Sequence, residues 1–203
     1  MKQETRVFIV DDDDGVREGL QLLLESAGHT VAAFAGAESF LEHYEPDIPS
    51  CLILDLRMPK IGGLELQQKL SQTSTPPPII FLTGHGSVPS AVKAIKSGAV
   101  DFFQKPITDE QPLLDRVAEA IQQDCETRAE AAIHNEARQL FERLTPREAE
   151  VMEQLSEGKA NKVVGIDLGI SERTVELHRA RMMKKLGIRS VAELIHFRDI
   201  LRN

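Results

Sequence analysis

No stretch of the 203-residue chain approaches the ~20 consecutive apolar residues of a membrane span, which argues against any membrane role. Cysteine is scarce. Cys51 and Cys125 have no metal-site spacing; one opens an apolar strand and the other lies in a polar helix, so the expectation is free thiols and a reducing cytoplasm. The phosphate-binding pattern G-x-x-x-x-G-K-[ST] is missing, which disfavours an NTPase. Met1 to Arg6 lack an apolar h-region and a cleavage site, so no signal peptide is expected. What remains is 41% hydrophobic, 28% charged and 4% aromatic, an ordinary soluble globular composition.

The net charge of −8 is unevenly spread. Residues 1–141 hold 12 Lys and Arg against 22 Asp and Glu, whereas residues 142–203 hold 12 against 10. An acidic first part joined to a slightly basic second predicts two domains with different partners. The small positive excess is by itself too weak to indicate nucleic acid.

The first part is organised around Cys51-Leu52-Ile53-Leu54-Asp55, an apolar run that reads as a buried central strand of a parallel sheet. A carboxylate at the carboxyl end of such a strand lies where open α/β sheets bind ligands; the bland alternative is an aspartate capping the next loop. Arg6–Val10 reads as a first strand running into Asp11, Asp12, Asp13 and Asp14. Thr30–Phe34, Ile79–Thr83 and Val100–Gln104 give three more strands. Between and after them, helical spacing recurs in Val16, Leu20, Leu23 and Ala27; in Ala37, Phe40 and Leu41; in Leu64, Leu66 and Leu70; in Ala91, Ala94 and Ile95; and in Leu113, Leu114, Val117 and Ile121. Gly28, Gly98 and the Ser/Thr/Pro cluster 71–78 provide stops, and Gly84-His85-Gly86 follows the fourth strand as a loop.

Strands alternating with helices over about 120 residues predict a flavodoxin-like, doubly wound, five-stranded parallel sheet. Right-handed crossovers then gather Asp11, Asp12, Asp55, Thr83 and Lys105 on one edge. Three neighbouring carboxylates call for a cation, and oxygen ligands suit Mg²⁺. A hydroxyl and an ammonium are suited to holding phosphoryl oxygens.

With these residues in place, residues 5–122 resemble a response-regulator receiver domain. The resemblance implies Asp55 as phosphoryl acceptor, and Asp11, Asp12, Asp55 and the Arg57 carbonyl as Mg²⁺ ligands. It also implies Thr83 and Phe102 as a switch pair, and Lys105, before a cis Pro106, as the phosphate-contacting lysine. Thr83-Gly84-His85-Gly86-Ser87-Val88-Pro89 further resembles the FixJ type. Four consecutive aspartates leave the metal pair ambiguous, with Asp13 and Asp14 read as solvated acids at a helix start. Phe102 has no hydroxyl, so its switching has to be by packing.

Residues 123–141 contain neither Pro nor Gly and are rich in Ala, Glu, Gln and Arg, which predicts a helical connector. Ile121, Cys125, Ala129, Ala132 and Ala137 form a thin apolar stripe; a solvated spacer is expected, with a dimeric coiled coil as the alternative. His134 reads as a surface residue. Thr145-Pro146-Arg147-Glu148 then has the form of a capping box with proline at the first helical position. Val151, Met152 and Leu155 mark the buried face of that helix and Gly158 its end. Asn161–Leu168 is a short helix with Val164 and Leu168 inward, Gly169-Ile170-Ser171 a tight turn, Glu172–Leu186 a capped helix and Val191–Leu201 a fourth. This is an all-α, four-helix helix-turn-helix domain.

The third of these helices carries Arg173, Arg179, Arg181, Lys184 and Lys185 against Glu172 and Glu176, which suits a phosphate-lined groove as well as a solvated basic face. Leu144-Thr145-Pro146-Arg147-Glu148, Asn161-Lys162, Gly169-Ile170-Ser171 and Arg173-Thr174-Val175-Glu176-Leu177-His178 make residues 142–203 resemble the DNA-binding domain of LuxR-type regulators. That resemblance implies Glu176, Leu177 and Ala180 facing bases, and Lys162, Thr174, His178, Arg179, Arg181 and Lys184 near phosphates. Gly165 departs from the pattern, which usually has alanine there, and a loosening of the second helix by roughly 0.5–1 kcal/mol is expected.

The reading is a FixJ-type, two-component transcriptional regulator and not an enzyme: receiver 1–122, helical linker 123–141, DNA-binding domain 142–203. Its expected partners are a sensor histidine kinase, promoter DNA, a second copy upon phosphorylation, and RNA polymerase. The alternative is a Mg²⁺-dependent phosphohydrolase with an aspartyl-phosphate intermediate. Arg57, where such an enzyme has its general acid, speaks against it, as does the lack of room for a substrate cap.

Overall fold

The computed structural model describes residues 4–73, 75–84 and 86–202; Met1–Gln3, Ser74, His85 and Asn203 lie outside the described residues. The chain divides into two compact units, one ending at Arg128 and the other beginning at Ala129.

In the first unit, β1 (Arg6–Val10), β2 (Val31–Phe34), β3 (Ser50–Leu54), β4 (Ile79–Thr83) and β5 (Asp101–Gln104) form one parallel sheet in the order β2-β1-β3-β4-β5. Every residue of β3 and β4 is buried, as continuous apolar runs require, while edge strands β2 and β5 are mostly half-buried. The pleat sends Phe8, Val10, Leu52, Leu54 and Phe81 to one core, against α2 (Ala37–His43), α3 (Gly63–Leu70) and α4 (Val88–Lys96). Val7, Ile9, Cys51, Ile53, Ile80 and Leu82 pack on the other face, against α1 (Asp14–Ser26) and α5 (Gln111–Glu142).

The strand and helix order is as expected, with ends displaced by a residue. Within the helices, four positions differ. Leu24 is buried where Leu23 is half-buried, Ala27 is exposed beyond the helix end, and Leu41 and Ile95 are 38% and 46% exposed. The connector is also less solvated than its composition suggests. Asp124 is buried and Cys125 half-buried in the first unit, while Ala129 and Ala132 of the expected stripe are exposed. Among the described residues, no helix is long and apolar enough to cross a membrane.

The second unit holds α6 (Pro146–Ser156), α7 (Asn161–Leu168), α8 (Glu172–Leu186) and α9 (Val191–Arg202) around a core that includes Val151, Leu155, Val164, Val175, Met182 and Leu194. Both halves of the Thr145 capping box are made: Glu148 N–H donates to Thr145 Oγ1 at 3.3 Å and Thr145 N–H to Glu148 Oε2 at 2.8 Å. Gly169 and Gly187 end α7 and α8 at φ 67° and 72°, where a Cβ is disfavoured.

Candidate functional site

Register builds the first site. Val10 pairs with Leu54 and Leu54 with Phe81, so the residues after β1 and β3 emerge together at the carboxyl edge of the sheet. Those residues are Asp11 and Asp55, 2% and 6% exposed. Asp55 N–H donates to the Val10 carbonyl at 2.8 Å, which fixes the carboxylate's root. The Lys105 ammonium, following β5, donates to Asp11 Oδ2 at 2.5 Å and to Asp55 Oδ1 at 3.4 Å. Lys105 is itself placed by its N–H on the Thr83 carbonyl at 3.0 Å, and its peptide bond to Pro106 is cis. Thr83 is fully buried at the end of β4. Arg57, though exposed, turns its N–H onto Asp55 Oδ2 at 2.9 Å.

Asp11, Asp55, Thr83, Arg57 and Lys105 therefore meet, and Asp12 stands apart on the exposed side of the loop. Among the described residues, no group of three or more His, Cys, Asp or Glu side chains forms a ready metal cage. The donor set nevertheless fits a hard cation: two buried carboxylates share one ammonium, and oxygen ligands completed by retained waters suit Mg²⁺. Burial pushes the Asp11 carboxyl above its ordinary 3.8, against the hydrogen bonds from Lys105 and the Asp13 N–H that pull it down.

Phe102 is half-buried on β5, its ring centroid 6.3 Å from that of Phe81. Gly86 lies against it so closely that a Cβ would come within 2.9 Å of the Phe102 ring and 3.3 Å of Thr83 Cγ2. Gly86 thus packs on both members of the expected switch pair. Gly63, at the start of α3, is equally constrained: a Cβ there would meet the Asp55 carbonyl at 2.3 Å.

Sequence reasoning missed Arg17. Its Nη1 donates to the Asp11 main-chain carbonyl at 2.7 Å and its Nη2 pairs with Asp14, pinning the turn that carries the acids. The spacing from Asp14 was visible, but the carbonyl contact depends on the loop's path.

A second candidate site lies on α8. Glu176, Leu177, Ala180, Arg181 and Lys184 are all exposed and recur at helical spacing, forming one face, and Leu177 is half in solvent. Thr174 is half-buried and its hydroxyl bonds to that of the N-cap Ser171 at 2.7 Å. His178 and Arg179 are half-buried, and Arg179 Nη1 reaches Asn161 Oδ1 at 3.4 Å; Lys162 is exposed on α7. Lys185 corrects the charge reading. Its ammonium binds buried Glu148 at 2.6 Å and the Arg143 carbonyl at 3.1 Å, so it does not belong to the outward basic face.

Two family descriptions match the chain: "Response regulator receiver domain" over residues 7–118 and "Bacterial regulatory proteins, luxR family" over residues 142–198. Nodulation protein W of Bradyrhizobium diazoefficiens is 43% identical over 96% of this chain and 86% of its own. Transcriptional regulatory protein FixJ of Azorhizobium caulinodans is 40% identical over 96% and 92%. The solved structure of response regulator StyR superposes with a TM-score of 0.87 at 44% identity, covering 97% of this chain and 98% of that one. The chain belongs to the two-component response regulators that join a receiver domain to a LuxR-type DNA-binding domain. It is a regulator of the kind its FixJ relative represents, not an enzyme.

Proposed function

We propose that Asp55 accepts a phosphoryl group from a sensor histidine kinase and that the DNA-binding half then acts on promoter DNA. The observation that carries this reading is the meeting of Asp55, Asp11 and Lys105 at the end of the fully buried central strand. An Asp55 oxygen attacks the phosphohistidine phosphorus; the P–N bond breaks and its electron pair leaves with the imidazole. Lys105, already 3.4 Å from Asp55, is in reach of the incoming phosphoryl oxygens, and Thr83 offers a hydroxyl at the same edge. Asp11, Asp12, Asp55 and the Arg57 carbonyl are the groups to hold Mg²⁺, which supplies charge neutralisation for those oxygens. Arg57 offers no acid for rapid hydrolysis, so the phosphorylated form persists long enough to signal.

The reading extends to the rest of the chain. Residues 1–122 act as receiver, 123–141 as connector and 142–203 as DNA reader. Glu176, Leu177 and Ala180 face bases, and Lys162, Thr174, His178, Arg179, Arg181 and Lys184 lie near phosphates. Movement of Thr83 and Phe102 brings two copies together through α4 and β5, where Val88, Val92 and Ile95 are 78%, 46% and 46% exposed. The dimer, working in the cytoplasm, meets RNA polymerase at the promoter. Incubation with acetyl phosphate and Mg²⁺ followed by borohydride trapping tests the central step. Label is expected at Asp55 alone; undiminished label in Asp55→Asn refutes the assignment.

A further inference from the structure

At the pole of the sheet opposite Asp55, α5 carries a buried ion pair whose place in signalling is not given by the phosphoacceptor site. The Asp124 and Arg128 side chains are 3% and 10% exposed and lie one helical turn apart. Asp124 Oδ2 accepts from Arg128 Nε at 2.7 Å and from the Ser50 N–H, also at 2.7 Å. Arg128 Nη1 donates to the Pro46 carbonyl and to Thr75 Oγ1 at 3.2 Å, and Nη2 to the Thr75 carbonyl at 3.3 Å. The pair thus ties the helix to the loops before β3 and β4 through Arg128, and to the first residue of the strand that ends at Asp55 through Asp124.

A buried ion pair is a poor way to gain stability, because desolvation offsets most of the attraction. What a guanidinium fork provides is geometry, since its donors are fixed relative to one another and bind in a single register. Without it, the last buried apolar anchor of α5 in this unit is Ile121, seven residues or about 10 Å of helix short of Arg128. Beside the latch is a cavity of about 260 Å³ between Ser97 and Gly98, at the end of α4, and Gln123, Asp124 and Thr127 of α5. The end of α4 is held across that space by Gln67 Nε2, which donates to the Ala94 and Ser97 carbonyls at 3.1 Å each. Gln67 thus ties the end of α4 into the same pocket that the latched segment borders.

We infer that Asp124 and Arg128 are positioning residues that set the register of the interdomain helix and so couple the state of the receiver to DNA binding. The inference rests on Asp55 being the phosphoacceptor. The full chain is compared with Arg128→Met, Arg128→Lys and the isosteric Asp124→Asn. DNA affinity is measured with and without acetyl phosphate, on a duplex selected from a random pool by the phosphorylated wild type. Arg128→Met should take label at Asp55 at the wild-type rate, exchange its amides over residues 123–130 about tenfold faster, and lose about tenfold in the ratio of phosphorylated to unphosphorylated affinity. Arg128→Lys, with the charge but no fork, should recover only part of that ratio. Asp124→Asn keeps an acceptor for Ser50 and serves if Arg128→Met fails to fold; it should also lower the ratio. An unchanged ratio in a variant whose amides exchange faster overturns the inference and leaves the latch a structural contact. A wild-type protein that takes no label at Asp55 overturns the phosphoacceptor reading instead, before any latch variant is compared.

Discussion

Lys105→Met removes the ammonium that two buried carboxylates share. Asp11, Asp55 and Lys105 have side-chain exposures of 3%, 7% and 19%. Removing one partner of a fully buried pair costs about 3–5 kcal/mol; the residual exposure of Lys105 lowers this to about 2–3 kcal/mol in metal-free buffer at neutral pH. The sign of the pH dependence follows from Asp11, whose carboxyl already lies above its ordinary 3.8 because burial outweighs Lys105. A raised carboxyl binds more protons in the folded state, so its contribution to stability falls as pH rises through the interval above 3.8 and is then constant. Loss of Lys105 removes two effects that pull the carboxyl down, so that interval widens upward. The destabilisation should accordingly be greatest near neutrality and vanish in acid, where Asp11 is protonated in both proteins.

The chain has no tryptophan, and its single tyrosine, Tyr44, packs on Phe8 and Phe40 in the receiver unit. Tyrosine fluorescence in a urea titration therefore reports that unit alone. Mg²⁺ at a hundred times its Kd should return about 2.7 kcal/mol to the variant. A loss below about 0.5 kcal/mol, or one equal in acid and at neutrality, would mean that the two carboxylates do not form the charged site inferred for them.

Three further outcomes are expected. Gly165→Ala should destabilise the second unit by about 1 kcal/mol: a helix gain of about 0.5–1 kcal/mol is outweighed by about 1–3 kcal/mol of overpacking, because the new Cβ would lie 2.8 Å from the Ile170 carbonyl. Calorimetry that finds it stabilised shows that the turn relaxes at no cost. Val92→Asp with Ile95→Asp should keep the beryllofluoride-loaded protein monomeric in sedimentation, whereas dimers of unchanged strength would move the pairing surface away from α4. On DNA, Arg181→Ala should reduce the salt slope by about 0.9 per subunit, while Glu176→Ala should leave the slope and relax one base position by about 1–3 kcal/mol; an equal slope change in both breaks that division of labour.

How far the sequence could be read depended on the range of the interactions involved. Buried strands were legible because the four residues before Asp55 and the four before Thr83 are all apolar, and helix starts because a cap and its partner lie within one turn. The Thr145 box is an example, with both of its hydrogen bonds made. The latch was not legible. Asp124 meets Ser50 across 74 residues and Arg128 meets Pro46 across 82, so a polar helical composition gave no sign that this stretch is buried. Lys185 misled in the same way: it sits on a basic helix, yet its partner Glu148 lies 37 residues earlier and turns it inward. Gly165 is a third case. Helix propensity alone reads it as a weak point, whereas the backbone of the following turn lies so close that a side chain there requires the turn to shift.

The four consecutive aspartates show the same limit at single-residue scale. Identical side chains take four roles because the backbone changes from strand to helix beneath them. Asp11 continues the strand and is buried against Lys105, while Asp12 falls on the open side of the turn. Asp13 accepts the Val16 N–H as the N-cap of α1, and Asp14, in the first turn, pairs with Arg17. Two of these roles follow from local rules once the helix start is known, which removes Asp13 and Asp14 from the competition for a cation. The choice of Asp11 as the buried partner depends instead on β3 lying beside β1 and delivering Asp55 to the same edge, so it is sheet order rather than the acidic run that makes a site there.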